Sequence, residues 1–329
     1  MDNSFKISVI IPTYNSVEFI VKAINSALKQ SFKPFEIIVV DDASTDGTTE
    51  IVRQTFNNKV MLVENCENLG ASSARNKGIM AASGSWIAFL DSDDEWMENH
   101  LESLVSIVAK YSLQWCCGQH QNVKHGEVIQ RPHKKWKRFH KQDTFFENFF
   151  QAWAYDPPFI TSGILANKNL IFEAGMFDSS LAVAEDIDLW LKIAHIIPKV
   201  GLTDFPTLKH HIRNDSLCAT HEKRSKLLLN LLEKHLSIAS EAGVNSLINF
   251  TPSAKKIVKW VIHYAILEKD TGVLKKVLQQ YIGFIEKNTF ILKCLLSIPG
   301  GVQIYSRIYP INARIRSFVK ILPLRLNCK

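Results

Sequence analysis

This sequence predicts an α/β fold, a sheet flanked by helices, followed by a helical C-terminal region. Three observations carry that expectation. Short apolar runs alternate with segments of helical spacing through the first hundred residues. Several of those runs end abruptly in polar or acidic residues, and beyond about Ser216 almost every segment reads as helix. Alternating units of this kind call for parallel strands joined by right-handed crossovers.

Ile7 to Ile11 is an apolar strand stopped by Pro12, and Val17 to Gln30 sets Phe19, Ile20, Ala23, Ile24, Ala27 and Leu28 at helical spacing. Phe35 to Val40 is a second strand ending in Asp41-Asp42. The turn Thr45-Asp46-Gly47 then offers a cap for a helix through Glu50, Ile51 and Val52. Val60 to Val63 is a third strand, Ser72 to Ala82 a third helix, and Trp86 to Leu90 a fourth strand. Further on, Gln114 to Gln130 reads as one or two strands, Thr161 to Asn167 as a short strand, and Glu185 to Ala194 as a helix. Helices are then expected over Glu222 to Ala242, Pro252 to Glu268, Thr271 to Glu286 and Phe290 to Leu296. Neither a repeat nor a low-complexity linker interrupts them.

Asp91-Ser92-Asp93-Asp94, directly behind the fourth strand, is the most informative cluster. Three carboxylates at a dry strand end repel one another and need a cation or a dense array of donors. Hard divalent ions such as Mg2+ or Mn2+ take carboxylate oxygens and bridge proteins to diphosphates. The same residues also suit a solvated turn. Convergence separates the two readings: Pro12 to Asn15, Asp41-Asp42 and Asp91 to Asp94 all lie at carboxyl ends of strands, where open α/β sheets bind ligands. That favours a metal–nucleotide site.

The 329 residues suffice for one large or two modest domains, and 46% apolar with 22% charged residues marks a globular chain. No apolar run approaches the roughly 18 to 20 residues of a spanning helix. The first residues lack the basic-then-apolar order of a secretory signal. Six cysteines without a CxxC pair or zinc-like spacing fit thiols in a reducing cytosol. Charge is uneven: from Thr251 onward 14 Lys and Arg face 3 Asp and Glu, a net +11 within a chain of +7. An acidic front thus joins a basic tail.

Taken in order, Val9-Ile10-Ile11-Pro12-Thr13-Tyr14-Asn15, Val39-Val40-Asp41-Asp42-Ala43-Ser44-Thr45-Asp46-Gly47-Thr48, Asn68-Leu69-Gly70-Ala71-Ser72-Ser73-Ala74-Arg75-Asn76, Phe89-Leu90-Asp91-Ser92-Asp93-Asp94 and Ala184-Glu185-Asp186-Ile187-Asp188-Leu189-Trp190 resemble the family 2 glycosyltransferases with the GT-A fold. The resemblance covers residues 6 to about 215. It implies a mixed sheet flanked by helices, in a catalytic domain over 1–220. A nucleotide-sugar-binding half would span 1–110 and an acceptor-binding half 111–220, ahead of a basic, mainly helical region over 221–329. It further implies that Thr13, Tyr14 and Asp42, with Pro12 and Asn15 beside them, form the nucleotide-base pocket. Arg75 would contact base or diphosphate, Asp91 the ribose or a metal-bound water, and Asp94 the neighbouring backbone or donor sugar. Asp93 would ligate Mn2+ or Mg2+, approached by His211 of the segment His211-Ile212-Arg213-Asn214-Asp215-Ser216. Thr161-Ser162-Gly163 would line the acceptor floor. Inverting transfer needs a base, and the Glu185-Asp186 pair matches the family's, with Asp186 as base and Glu185 as alternative. Both residues also open a helix, where the dipole favours carboxylates in any protein.

Lys134-Lys135-Trp136-Lys137-Arg138 reads either as a phosphate or membrane-surface contact or as a solvated loop; no nucleic-acid partner is expected. Lys255, Lys256, Lys259, Lys275 and Lys276 stand beside Ile257, Val258, Trp260, Val261, Ile262, Tyr264, Val277 and Leu278. Such helices lie on anionic bilayers or pack their apolar faces onto a core. The resemblance implies transfer of a hexose from UDP-glucose or UDP-galactose to a polyprenyl-diphosphate-linked saccharide. It implies a role in O-antigen, lipopolysaccharide or capsule synthesis, peripheral on the cytoplasmic face of the cell membrane. A nucleotidyltransferase or other nucleotide-binding α/β enzyme competes with it, without the Gly-x-Gly-x-x-Gly turn a dinucleotide fold would show. A non-catalytic membrane-binding module would leave the acidic strand-end cluster without a purpose.

Overall fold

The structure, a computed structural model, describes residues 5–124, 126–130, 145–155, 159–212, 223–281 and 284. The expected alternation is present as β1 (Ile7–Thr13), α1 (Ile20–Leu28), β2 (Glu36–Asp41), α2 (Thr48–Phe56), β3 (Met61–Glu64), α3 (Ala71–Ala81) and β4 (Trp86–Phe89). There follow β5 (Glu95–Trp96), α4 (His100–Tyr111), β6 (Trp115–Lys124), β7 (Glu127–Gln130), β8 (Phe145–Phe146) and α5 (Phe149–Ala154). A 3-10 turn (Thr161–Gly163) leads into β9 (Ile164–Asn167), α6 (Lys168–Glu173), α7 (Glu185–Ile196), β10 (Val200–His211), α8 (Arg224–Glu241), α9 (Val244–Leu267) and α10 (Thr271–Gln280).

The strands form one sheet in the order β3-β2-β1-β4-β9-β6-β10-β5, with β7 on β6 and β8 on β10. Only its first part obeys the parallel expectation. Strand β9 runs antiparallel to both β4 and β6, while β6 and β10 are parallel, so the sheet is mixed. In the parallel part Pro12 pairs Val40 and Thr13 pairs Asp41, which sets the polar strand ends level. Strands β1, β2 and β4 are buried almost throughout, the continuous apolar pattern of strands covered on both faces. Helix α3 comes close to them because Gly78 lies on Ile10 and Val40; an added Cβ would meet Ile10 Cγ2 at 2.5 Å.

Helix α4, with Leu101, Leu104, Ile107 and Val108 buried, and strand β10 lie outside the sequence expectations. Pro206 argues against a strand, and β10 accommodates it with register shifts on both sides. Helix α9 begins at Val244, eight residues before the expected Pro252, which sits inside it at a partly exposed position. Helix α10 ends at Gln280, short of Glu286, and starts under a cap in which Asp270 accepts from Val273 N–H. The basic stretch around Lys134 to Arg138, the helix over Phe290 to Leu296, and Arg213 to Ser216 lie outside the described residues.

The chain divides into two compact units, Met1–Thr220 with His235–Ser253, and His221–Lys234 with Ala254–Lys329. The first buries the sheet. The second buries Leu228, Leu232, Ile257, Val258, Val261 and Val277. Polar ties there run from Ser225 to Glu268 and from Glu233 to Lys276 and Tyr281. Of the apolar side chains expected to face either a bilayer or a core, Ile257, Val258, Val261, Ile262 and Val277 are buried and Trp260, Tyr264 and Leu278 are half-buried, while Lys259 and Lys275 are exposed. Among the described residues no helix is long and apolar enough to cross a membrane.

Candidate active site

The ends of β1, β2 and β4 and the start of α7 bring the predicted residues to one edge of the sheet. Pro12 and Thr13 close β1, buried, with Thr13 Oγ1 lacking a partner. Tyr14 follows with nearly half its surface exposed. Asn15, at φ +46°, takes the left-handed conformation that Asn tolerates. Its N–H donates to Ser44 Oγ and its Oδ1 accepts from Thr45 N–H, each at 2.9 Å, tying the ends of β1 and β2.

Asp42 is buried and its carboxylate turns inward. It accepts from Asn65 Nδ2 at 2.6 Å, from Leu69 N–H at 3.1 Å and from Gly70 N–H at 2.7 Å. It therefore shapes the loop that launches α3, and a base N–H reaching it would join three donors already there.

Arg75, one turn into α3, is buried between acids from two distant parts of the chain. Its Nη2 donates to Asp91 Oδ1 at 2.8 Å and its Nη1 to Glu185 Oε1 at 3.3 Å, while its guanidinium lies 5.3 Å from the Phe177 ring centroid. Burial alone would lower its pKa, but Asp91 and Glu185 raise it above the ordinary value, so the cation is permanent. Asp186 accepts from its neighbour Ile187 N–H at 2.7 Å and from Thr161 Oγ1 at 3.3 Å. Burial pushes the Asp186 carboxyl above the usual carboxylate range, against the pull of Arg75. Burial and the neighbouring Asp186 likewise raise Glu185. Ala184, left-handed at φ +62°, turns the chain so that both acids open α7 beside this cation.

The acids behind β4 have different partners. Asp94 is buried and accepts from Ser162 Oγ at 2.5 Å and from His211 N–H at 3.1 Å, with His210 Nδ1 3.1 Å away. Ser162 Oγ in turn accepts from Asp91 N–H, and Trp96 Nε1 donates to the Ser162 carbonyl at 2.6 Å. The Thr161–Gly163 turn expected on the acceptor floor thus touches both the acidic cluster and Asp186. Ser92 sits against Ser16 at 2.9 Å. The histidine side chain meeting the cluster is His210, and not His211, whose Nε2 lies 3.1 Å from Glu95. Burial lowers the His210 pKa, but hydrogen bonding to Asp94 and the charges of Asp94, Asp91 and Asp93 bring it above the ordinary value.

Among the described residues no group of three or more His, Cys, Asp or Glu side chains is gathered as a metal site. The donors at the β4 end are carboxylate oxygens, the chemistry that Mg2+ and Mn2+ prefer. Such ions are commonly held by one or two carboxylates together with substrate phosphates. Donor type therefore fits an ion that arrives with a diphosphate.

Comparison with known proteins bears on what this edge does. The model of glycosyl transferase family 2 matches residues 8–173. An uncharacterized glycosyltransferase of Rickettsia felis is 31% identical over 190 residues, 57% of this chain and 30% of that protein. The Escherichia coli protein named UDP-Glc:alpha-D-GlcNAc-diphosphoundecaprenol beta-1,3-glucosyltransferase WfgD is 35% identical over 127 residues, 39% of this chain and 50% of that one. The matches thus span 30% to 50% of the length of these relatives. Among solved structures, S. aureus TarS 1-349 in complex with UDP-GlcNAc superposes with a TM-score of 0.72 at 20% identity, over 98% of this chain and 94% of that chain. At that identity the likeness shows the fold, which is GT-A. The matched stretch covers half of the chain, from β1 to the end of α6, with the ends of β1, β2 and β4, and on that ground the chain belongs to glycosyl transferase family 2.

Proposed function

We propose that this protein is an inverting, metal-dependent glycosyltransferase moving a hexose from UDP-glucose or UDP-galactose to a polyprenyl-diphosphate-linked saccharide, in O-antigen, lipopolysaccharide or capsule synthesis. One observation carries the reading: the Arg75 guanidinium joins Asp91 at the end of the strand run to the Glu185-Asp186 pair. A diphosphate-side acid and a buried base candidate are thereby held one side chain apart. The names of the E. coli relative and of the TarS complex support a UDP-sugar donor and, for the former, a lipid-diphosphate acceptor.

In this mechanism Tyr14 offers its exposed ring to the nucleotide base beside Pro12, Thr13 and Asn15, while Asp42 fixes the pocket wall. Asp186 takes the acceptor hydroxyl proton as that oxygen attacks the anomeric carbon opposite the departing UDP. A base works best with its pKa near the operating pH, and burial moves Asp186 in that direction. Thr161 orients it, Arg75 pulls against the rise of the neighbouring Glu185, and Glu185 is the alternative base. Asp93 is the carboxylate assigned to a divalent ion, which when bound offsets charge growing on the leaving diphosphate. His210 and Asp94 border that position.

The basic C-terminal region supports attachment at the inner face of the cell membrane. Ile257, Val258, Val261 and Val277 are buried, so the attraction would rest on the exposed cations, about 1 kcal/mol for each near the surface. Flotation of the full chain on phosphatidylglycerol vesicles, lost on phosphatidylcholine or in high salt, is the expected result. Equal flotation on both lipids counts against it. The function is tested by screening UDP-sugars against a synthetic polyprenyl-diphosphate–sugar acceptor, with linkage analysis of the product. Transfer should require Mn2+ or Mg2+ and vanish in Asp93→Ala; full activity without metal, or in that variant, removes the metal assignment.

A further inference from the structure

Asn76 follows Arg75 on α3, and the mechanism above gives it no part. Its side-chain amide makes a two-pronged bond to one backbone unit 101 residues away. The Nδ2 donates to the Phe177 carbonyl at 2.8 Å, and Oδ1 accepts from the Phe177 N–H at 3.0 Å. One side chain thus imitates the pairing a neighbouring strand would supply, at a place where the sheet does not reach. Phe177 lies in the connection between α6 and α7, just behind Gly175 and Met176, both left-handed at φ +80° and +57°. Its backbone groups would otherwise be orphaned beside a buried ring, which costs about 1–3 kcal/mol for each.

The ring held in this way has three neighbours at the site. It stands edge-on to Phe89 of β4 at 5.4 Å and to Trp190 of α7 at 5.9 Å, and the Arg75 guanidinium lies over it. Consecutive residues of α3 therefore grip the same loop, Arg75 by the ring and Asn76 by the backbone. Arg75 needs the grip. It is buried with Nε unpartnered, and its two bonds run to acids from different parts of the chain. Such a cation keeps its bearing only while the wall behind it stays fixed.

We propose that Asn76 is a positioning residue for the transfer reaction: by fixing the Phe177 backbone it sets the ring against which Arg75 reaches Asp91 and Glu185 together. The proposal rests on the assignment of the Glu185-Asp186 pair as the base. In Asn76→Ala, kcat for transfer from UDP-glucose to the synthetic lipid-diphosphate acceptor should fall at least tenfold. Affinity for UDP, measured by calorimetry, should fall by a smaller factor than kcat, because the β1 and β2 ends are not touched and only the Arg75–Asp91 contact is loosened. The acid limb of the kcat/KM profile should move to higher pH as the carboxylate pair loses its cation, a change that loss of stability alone would not produce. Asn76→Asp is isosteric and keeps the acceptor for the Phe177 N–H, but it sets a carboxylate oxygen against the Phe177 carbonyl and adds a charge, so it should not restore kcat. Unchanged kcat with an unmoved acid limb in Asn76→Ala overturns the proposal. A second readout needs no turnover: amide exchange at Phe177 should rise in Asn76→Ala and not in Asp186→Asn. If no donor is transferred, the functional reading fails while exchange still decides the tie; if exchange stays unchanged in Asn76→Ala, the tie itself is refuted.

Discussion

Behind β2, Asp42 meets three neutral donors aimed at one carboxylate, whereas across the site Asp91, Glu185 and Asp186 cluster around the cation of Arg75. Both sets are largely buried. The first is satisfied by a side-chain amide and two backbone N–H groups that cannot leave, so it holds a loop in place. The second has more negative charge than its cation offsets, and burial keeps the Glu185 and Asp186 pKa values up. A buried acid with enough fixed donors holds structure; a buried acid short of them keeps a raised pKa, as the proposed base role requires.

The largest effect expected from this contrast is on turnover. Asp186→Asn should lower kcat by roughly 10²–10⁴-fold, the range for losing a general base, with UDP affinity kept. Full turnover in Asp186→Asn together with a comparable collapse in Glu185→Gln would move the base to the alternative acid. Asp42→Ala should behave in the opposite manner. It removes the acceptor of the Leu69 N–H and the Asn65 amide and leaves the Gly70 N–H only Asn68 Oδ1, so the unit that buries the sheet should lose about 1–3 kcal/mol in urea unfolding. Any fall in activity should follow UDP affinity more than kcat. Wild-type stability in Asp42→Ala would erase the distinction between the two carboxylate sets.

The same contrast separates what was legible in the sequence from what was not. Strands β1, β2 and β4 announce themselves because both faces are covered and their apolar runs are continuous, and the acids behind them fall where the chain leaves the sheet. The Glu185-Asp186 pair is legible through the family resemblance. Its connection to Arg75 is not, since nothing local pairs residues 110 positions apart. Strand β10 is hidden by Pro206, and the bulges around that residue reset the alternation of faces. Which of His210 and His211 turns its side chain toward Asp94 depends on that reset, and no local pattern in the sequence fixes it. Asn76 was visible within its motif, but its role exists only once Phe177 is brought beside α3.

The smallest effect is on stability against pH, where buried bases and buried acids pull in opposite directions. Burial lowers His100 to about 3, and burial with the charge of His235 lowers His195 to about 4. Between those values and the ordinary 6.5 the unfolded chain binds the protons, so these histidines cost stability as pH falls below 6.5. Glu185 and Asp186 do the reverse. Their folded pKa values are raised, so the folded state holds protons that the unfolded chain has released, and stability is regained as pH falls through the folded values. Each proton of difference is worth about 1.4 kcal/mol per pH unit, and the two trends partly cancel in the wild type. Asp186→Asn removes one side of the cancellation. It should be more stable than wild type at pH 7 and lose stability more steeply between pH 6.5 and 4 in urea melts, while His195→Gln flattens the slope. A variant with the wild-type slope and no gain at neutral pH would mean that Asp186 is not held out of its ordinary range, and the contrast with Asp42 would then rest on geometry alone.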